Sequence, residues 1–395
     1  MRWPRSQSSR SDDEMNKLEI SEIKRQFNID RFTIDNICIC YVGSEKEKKF
    51  ITKDAFGSLP EEEMHKYLKY LKKGLSGTIG KNLMNLEFPL SEEMNGGKQE
   101  FLLKVRDSHL DDDDILDEYF DRIIAQYDTA EKYCIIAVHA VYDIPGKGSD
   151  RILQEDASED VFDHFMTLLC PVELRDGELG LDPENNRIGE LEQDWVLHEP
   201  DKAFLFPSFN DRTTDIHSIL YYSRKCEEIQ PDFINFMFGL DAPLTAGDQK
   251  DTFNMLVSGV CGDEGDVEVM KNIHDSLSDL IEKNKENPDP LVLSKPDVKK
   301  IFNDSGVSRE KMEAFDERYE DIAGDEAEIM VSNISGIRSF KVSTPDIEIK
   351  VNPEYLDRIE ARIVDGKECL VITVDDRVEV NGVNVRTLIP RSEKE

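Results

Sequence analysis

The sequence is poor in features that would announce a chemistry. Its seven cysteines (Cys38, Cys40, Cys134, Cys170, Cys226, Cys261 and Cys369) are odd in number and contain no CxxC pair. That excludes a disulfide framework and a paired-cysteine zinc site. Most stand in apolar runs such as CIIAV and TLLCPV and read as reduced, buried thiols of a cytosolic protein. No apolar run approaches the roughly 18–20 residues that cross a bilayer. The longest, Tyr133–Tyr142, has the composition of a buried strand, so no membrane association is expected. The opening MRWPRSQSSRSDDE lacks the apolar stretch of a signal peptide, and residues 1–14 are expected to be a disordered extension ahead of Met15. Nucleophile elbow, zinc motif and dinucleotide fingerprint are all missing. Positive charge is scarce as well: 49 Lys and Arg stand against 84 Asp and Glu, a formal charge of −35 over 395 residues. Such a field opposes nucleic acid and favours basic partners.

What is present is ordinary globular patterning. Hydrophobic residues make up 38% and aromatics 8% of the chain, too many for a disordered chain, and the length calls for two domains. Asn16–Phe27 reads as a helix with Leu18, Ile23 and Phe27 apolar, and Phe32–Val42 as a strand. Ser58 is a candidate N-cap, followed by Pro60 and three glutamates, and Met64, Tyr67, Leu68, Leu71 and Leu75 form a stripe at helical spacing. Asp111–Tyr127 repeats that pattern. From Tyr133 to Tyr222 short β-like runs follow one another without intervening helices, which points to an antiparallel or mixed sheet. Helices return at Asp232–Phe238, Thr245–Val260, Asp266–Lys285, Lys295–Asn303 and Ser308–Ile322, and Thr245 with Asp248 forms a capping-box signal. Phe233, Phe236, Phe253, Leu256 and Val257 are expected to pack together across the first two. RIEARIVDGKECLVITVDD is a hairpin with Asp365-Gly366 as a type I′ turn, and Asn381-Gly382 marks another turn. The fold class is therefore α+β: a mixed domain over 15–228 with a largely antiparallel sheet, then a helical domain over 229–395 closed by a β-hairpin.

Several constellations could carry chemistry. Gly74–Lys81 resembles a phosphate loop but ends a helix and has Asn82 where Ser or Thr would hold Mg²⁺. Cys38 and Cys40 share one strand side and could hold a soft metal. Four aspartates opening the Asp111 helix suggest a cation site, or simply a charge cluster suited to a helix N-terminus. NDRTTDIH brings Asp211, Asp215 and His217 together as weak catalytic or metal-ligating candidates, and His139 with Asp143 is a similar pair. Neither has an identifiable distant partner to complete a metal site, so no metal and no cofactor are expected. Lys66, Lys69, Lys72 and Lys73 cluster on one helix and, with Lys46, Lys48 and Lys49 upstream, are the candidate nucleic-acid contacts.

Over most of Met15–Glu395, the phrases EIKRQFNIDRFTID, SGTIGKNLMNLEFPL, VYDIPGKGSD and FNDRTTDIHS resemble a mainly Firmicutes family of unknown function, DUF4317. More remotely, Asp232-Phe233, Gly239, Leu244, Ala246 and Gln249, with the C-terminal IEIKVNPEYL and RIVDGKECLVITV, resemble nucleoid-associated proteins of the NdpA type. The expectation is an uncharacterised, non-enzymatic cytoplasmic protein linked to the nucleoid or to nucleic acid. The alternatives are an acidic module that binds a basic protein partner, and a metal-dependent enzyme built on Asp211, Asp215 and His217.

Overall fold

A computed structural model gives the architecture and describes residues 14–31, 33–129, 131–147, 153–175, 179–182, 187–190, 194–261, 267–324, 327–334, 340–374, 378–380 and 382–385. The extension expected over 1–14 lies outside these except for Glu14, as does Asn381 of the second expected turn. The chain packs as two compact units: Met1–Asp248 with Asn287–Pro290, and Gln249–Glu286 with Leu291–Glu395.

The first unit begins with α1 (Lys17–Gln26), β1 (Ile34–Val42), β2 (Lys48–Ala55), α2 (Glu61–Gly74), β3 (Leu83–Glu87), α3 (Lys98–Asp107) and α4 (Asp113–Gln126). It continues through β4 (Lys132–Lys147), β5 (Leu153–Arg175), β6 (Leu179–Asp182), β7 (Arg187–Glu190), β8 (Asp194–Leu197) and β9 (Lys202–Phe206). Then come β10 (Ser208–Asn210), β11 (Thr213–Asp215), β12 (Ser218–Ser223) and α5 (Pro231–Phe238). Eight strands form one antiparallel sheet in the order β2-β1-β4-β5-β9-β12-β3, with β8 also paired to β5. Successive side chains point to opposite faces. Cys38, Cys40, Tyr133, Ile135, Phe165 and Phe204 meet α3, α4 and α5 on one face. Ile37, Ile136, Val138, Met166, Leu168 and Leu205 meet α1 and α2 on the other. With helices on both faces, β9 is buried at every residue, which is why AFLF after Lys202 reads as an unbroken apolar run.

Local signals place the helices with some corrections. Asn16 caps α1 in a reciprocal box with Glu19, whose side chain accepts from the Asn16 backbone. Ile20, not the exposed Leu18, completes the buried stripe with Ile23 and Phe27. Ser58 caps nothing: its hydroxyl donates to the Ala55 carbonyl within a short 3₁₀ turn, and Pro60 precedes the first turn of α2. Gly74 is required by contact, since a Cβ there would come within 2.6 Å of Met166 and 2.9 Å of Ala203. The helix therefore runs close over the sheet and stops.

In the second unit α6 (Ala246–Cys261), α7 (Val267–Lys283), β13 (Val292–Leu293), α8 (Lys295–Asp304), α9 (Arg309–Met312) and α10 (Phe315–Ala323) precede β14 (Ile329–Met330) and α11 (Val331–Ile334). Short strands follow: β15 (Phe340–Ser343), β16 (Glu348–Val351), β17 (Ile359–Val364), β18 (Lys367–Ile372), β19 (Val378–Val380) and β20 (Val383–Val385), paired two by two. Asp365 and Gly366 both take the left-handed conformation, φ 52° and 76°, as a type I′ turn demands. The Thr245–Asp248 box also forms, at 3.1 and 3.2 Å. The residues expected to pack together across α5 and α6 divide between two cores. Phe233 and Phe238 belong to the sheet core, with Phe236 partly buried against it. Phe253, Leu256 and Val257 pack with Ile273, Val298, Phe302 and Phe315 in the second unit. The compact units divide at Asp248 and α5 lies in the core of the sheet, whereas the sequence reading sets the domain boundary near residue 228.

Phe238→Ala and Phe253→Ala should each cost about 3–5 kcal/mol, as buried aromatic truncations do. The two effects should add to within about 0.5 kcal/mol, since the side chains share no core. Chemical denaturation of the single and double variants measures this, and a coupling energy above that size would place both in one core.

Candidate functional site

The sequence-derived candidates disperse on folding. Asp211 and Arg212 form the turn between β10 and β11, both left-handed at φ 46° and 56°. Arg212 donates to Glu22 of α1 at 3.0 Å. Asp211 lines an open cavity of about 740 Å³ with Glu19, Glu22, Arg25, Arg31 and Arg212, where acids and guanidinium groups mix and no ligand charge is selected. Asp215 is used locally: it accepts from the side chains of Asn210 and Ser218 and from the backbone N–H of His217. The His217 ring turns away and pairs with Glu93 at 2.7 Å. Asp211, Asp215 and His217 therefore do not converge. The hydrogen bond to Glu93 raises the His217 pKa above its ordinary 6.5.

The remaining motifs resolve similarly. Burial pushes the Cys38 thiol up to about 12 and that of Cys40 to about 11, far from thiolate chemistry at neutral pH. Gly74–Lys81 is a helix end and turn. The aspartates before α4 already have a cation: Lys53 bridges Asp111 and Asp113 at 3.2 and 2.9 Å, and Asp112 caps the helix. Lys48 pairs with Asp117 and Asp121, and Lys49 with Glu47. On α2, Lys69 and Lys73 share Glu199 at 3.5 and 3.1 Å. Lys24 of α1 adjoins this face; burial and then repulsion from Lys72 and Lys73 lower its pKa. Among the described residues Lys24, Lys66 and Lys72 have no carboxylate partner.

One constellation emerges that the sequence conceals. His139, fully buried on β4, does not pair with Asp143. Its Nδ1 lies 2.9 and 3.0 Å from the two oxygens of Asp35, and its Nε2 lies 2.8 Å from Asp163 of β5. The His109 ring stacks on it, with centroids 4.2 Å apart and planes at 25°. Burial alone would lower the His139 pKa, but hydrogen bonds to Asp163 and Asp35, and their charges, overcome it and raise the value to about 9. Burial likewise raises the carboxyls of Asp35 and Asp163, yet the imidazole holds both below the usual range. His164 makes the contrast: it is buried on the opposite face without a carboxylate, and desolvation drives it down to about 4.

Two backbone irregularities build this cluster. Ile34 pairs with Ala140 and Asn36 with His139, leaving Asp35 as the extra residue of a bulge. The bulge shifts the alternation, so that Ile34 and Ile37 enter the same core while Asp35 reaches His139. His109 and Leu110, after α3, are both left-handed at φ 51° and 61°. Their carbonyls are pinned by Asn36 Nδ2 at 2.9 Å and Cys38 Sγ at 3.4 Å, and the next carbonyl, of Asp111, by Lys53 Nζ at 2.7 Å. Three side chains of the sheet thus hold an otherwise unfavourable turn over the imidazole. Only His139 carried a sequence signal; Asp35, His109 and Asp163 lie on three other elements.

Fold and site define an α+β protein whose two-faced antiparallel sheet carries a buried histidine between carboxylates. A family model described as Domain of unknown function (DUF4317) matches residues 15–383, and the chain belongs to that family. No curated protein matches it.

The His217–Glu93 pair predicts a proton-linked effect. A folded pKa above 6.5 means that its stabilising contribution is complete below about pH 6.5 and is lost as pH rises through the folded value. NMR titration should place the His217 pKa above that of a model histidine, and Glu93→Gln should return it there. An unshifted His217 in the parent chain would contradict the pairing.

Proposed function

We propose that the exposed face of α2, joined by Lys24, binds the phosphate backbone of nucleic acid, so that the protein works beside the bacterial chromosome. The supporting observation is that Lys24 stands close enough to Lys72 and Lys73 of α2 to be affected by their charge in a chain of charge −35, with Lys66 exposed further up the same helix; Lys24, Lys66 and Lys72 have no carboxylate partner among the described residues. Other lysines of this unit, Lys48, Lys53 and Lys104 among them, are each matched to an acid. Grouped cations release counterions from phosphates and need no base-specific geometry. The likeness to nucleoid-associated proteins rests on packing residues, the buried Phe233 and the left-handed helix end Gly239, so it contributes no binding group and the lysines carry the proposal.

A second reading, an acidic protein-interaction module, has its own observation. The hairpins of the second unit expose Ile363 (77%), Val383 (62%) and Ile347 (59%). Ile347 and Ile363 border an apolar groove of about 650 Å³ with Val342, Ile349 and Leu370. On this reading the groove takes an apolar segment of a basic protein.

Fluorescence anisotropy with labelled duplex and single-stranded DNA separates the two. At about 50 mM salt the parent should bind, weakening steeply as salt rises. Lys24→Glu with Lys66→Glu and Lys72→Glu should abolish binding, whereas Glu199→Gln should tighten it by freeing Lys69 and Lys73. Ile363→Lys should leave it unchanged. No detectable binding by the parent at that salt refutes the lysine-face reading and leaves the protein-interaction reading.

A further inference from the structure

We propose that Asp35, His109 and His139 form a binding site for a divalent transition ion such as Zn²⁺, with Asp163 positioning His139. This site is independent of the lysine face. The three side chains each offer one donor atom, and these lie within 4.8 Å of one another. Two imidazoles and one carboxylate match the borderline preference of Zn²⁺ and its neighbours, and three protein donors leave a coordination position open.

The arrangement around His139 is that of a prepared ligand. A metal-binding imidazole typically donates its second ring N–H to a carboxylate, which fixes tautomer and orientation and strengthens the donor. Here Nε2 faces Asp163 at 2.8 Å while Nδ1 faces Asp35. The ion would take the place of the proton shared by Nδ1 and Asp35, leaving the Asp163 contact intact. Because the His139 side chain is fully buried, its direction is set by the sheet before any ion arrives.

His109 must move to complete the site. A nitrogen lone pair lies in the ring plane, so two rings stacked at 25° do not both aim at one ion. Donors in a tetrahedral site with bonds of ~2.0–2.1 Å stand roughly 3.3 Å apart, closer than the present spread. The His109 side chain is 51% exposed and free to turn about its side-chain torsions, while its backbone stays pinned by Asn36. The bulge at Asp35 and the left-handed His109 are the kind of local irregularity that persists where geometry at a site is over-determined. The sequence reading, which expected no metal, weighed His139 with Asp143 and the DRTTDIH segment, and this ligand set lies mostly elsewhere.

The test strips the full-length protein with a chelator, adds zinc chloride, and measures affinity by competition with a chromophoric chelator and stoichiometry by elemental analysis. One Zn²⁺ per chain is expected. Asp35→Asn and His109→Ala, both at exposed side chains, should weaken binding at least tenfold with an unchanged circular dichroism spectrum. Asp163→Asn should weaken it about 10–100-fold and shift the visible bands of the Co²⁺-substituted protein, which loss of packing alone would not do. His217→Ala should change nothing. A folded parent that binds no ion, or equal affinity in the parent and the Asp35 and His109 variants, overturns the proposal. Should Asp163→Asn fail to fold, His109→Ala still decides it.

Discussion

A buried imidazole held between two carboxylates is the constraint that ties the sheet unit together. His139 lies at the junction of β1, β4, β5 and the turn after α3, and each supplies a group to it. A charge taken out of water is costly unless paired and hydrogen-bonded. The pairing is met only if β1 bulges at Asp35 and β5 keeps the register that brings Asp163 beside β4. The cluster therefore ties strand register, bulge position and turn conformation to one another. Asp35 and Asp163 are themselves 41% and 34% exposed, so removing one of them costs less than the roughly 3–5 kcal/mol typical of a fully buried pair, and the intact cluster adds little over apolar packing. Its presence argues more for specificity, or for a ligand, than for stability.

The same contrast between matched and unmatched charge organises the surface. Lys48 and Lys53 reach from β2 to the acids of α4, so two aspartates of the run that reads as a cation site already share a lysine of the protein. Glu199 holds two lysines of α2 but leaves Lys24, Lys66 and Lys72 unmatched among the described residues. An exposed lysine face on a helix is usually a solvated face; what distinguishes this one is the company its lysines keep, close enough to depress Lys24. Whole-molecule charge still opposes any polyanion, so binding there must be short-ranged and sensitive to salt.

Much of the fold was legible because its signals are local. Capping at Thr245, the Asp365-Gly366 turn, the α2 stripe and the strand run from Tyr133 depend on residues a few positions apart. The sheet-then-helices order gave the α+β class. What escaped was set by distant packing. The helix at Pro231 has the composition of any apolar helix, and only the sheet's uncovered face assigns it to the first core. Ser58 offered a plausible cap that the 3₁₀ turn bypassed. The site was the least legible part. Asp35, His109 and Asp163 are separated by 74 and 54 positions along the chain, and nothing in their immediate neighbours marks them. The bulge that re-aims Asp35 is visible only once β1 is paired with β4.

The state of His139 tests this account most directly. Long-range ¹H–¹⁵N NMR of the uniformly labelled, chelator-treated chain at about pH 7 reads whether each ring nitrogen carries a proton. The account requires both nitrogens protonated, with Nδ1 donating to Asp35 and Nε2 to Asp163. Asp35→Asn should return the ring to a neutral single tautomer. A neutral His139 in the parent chain would contradict it.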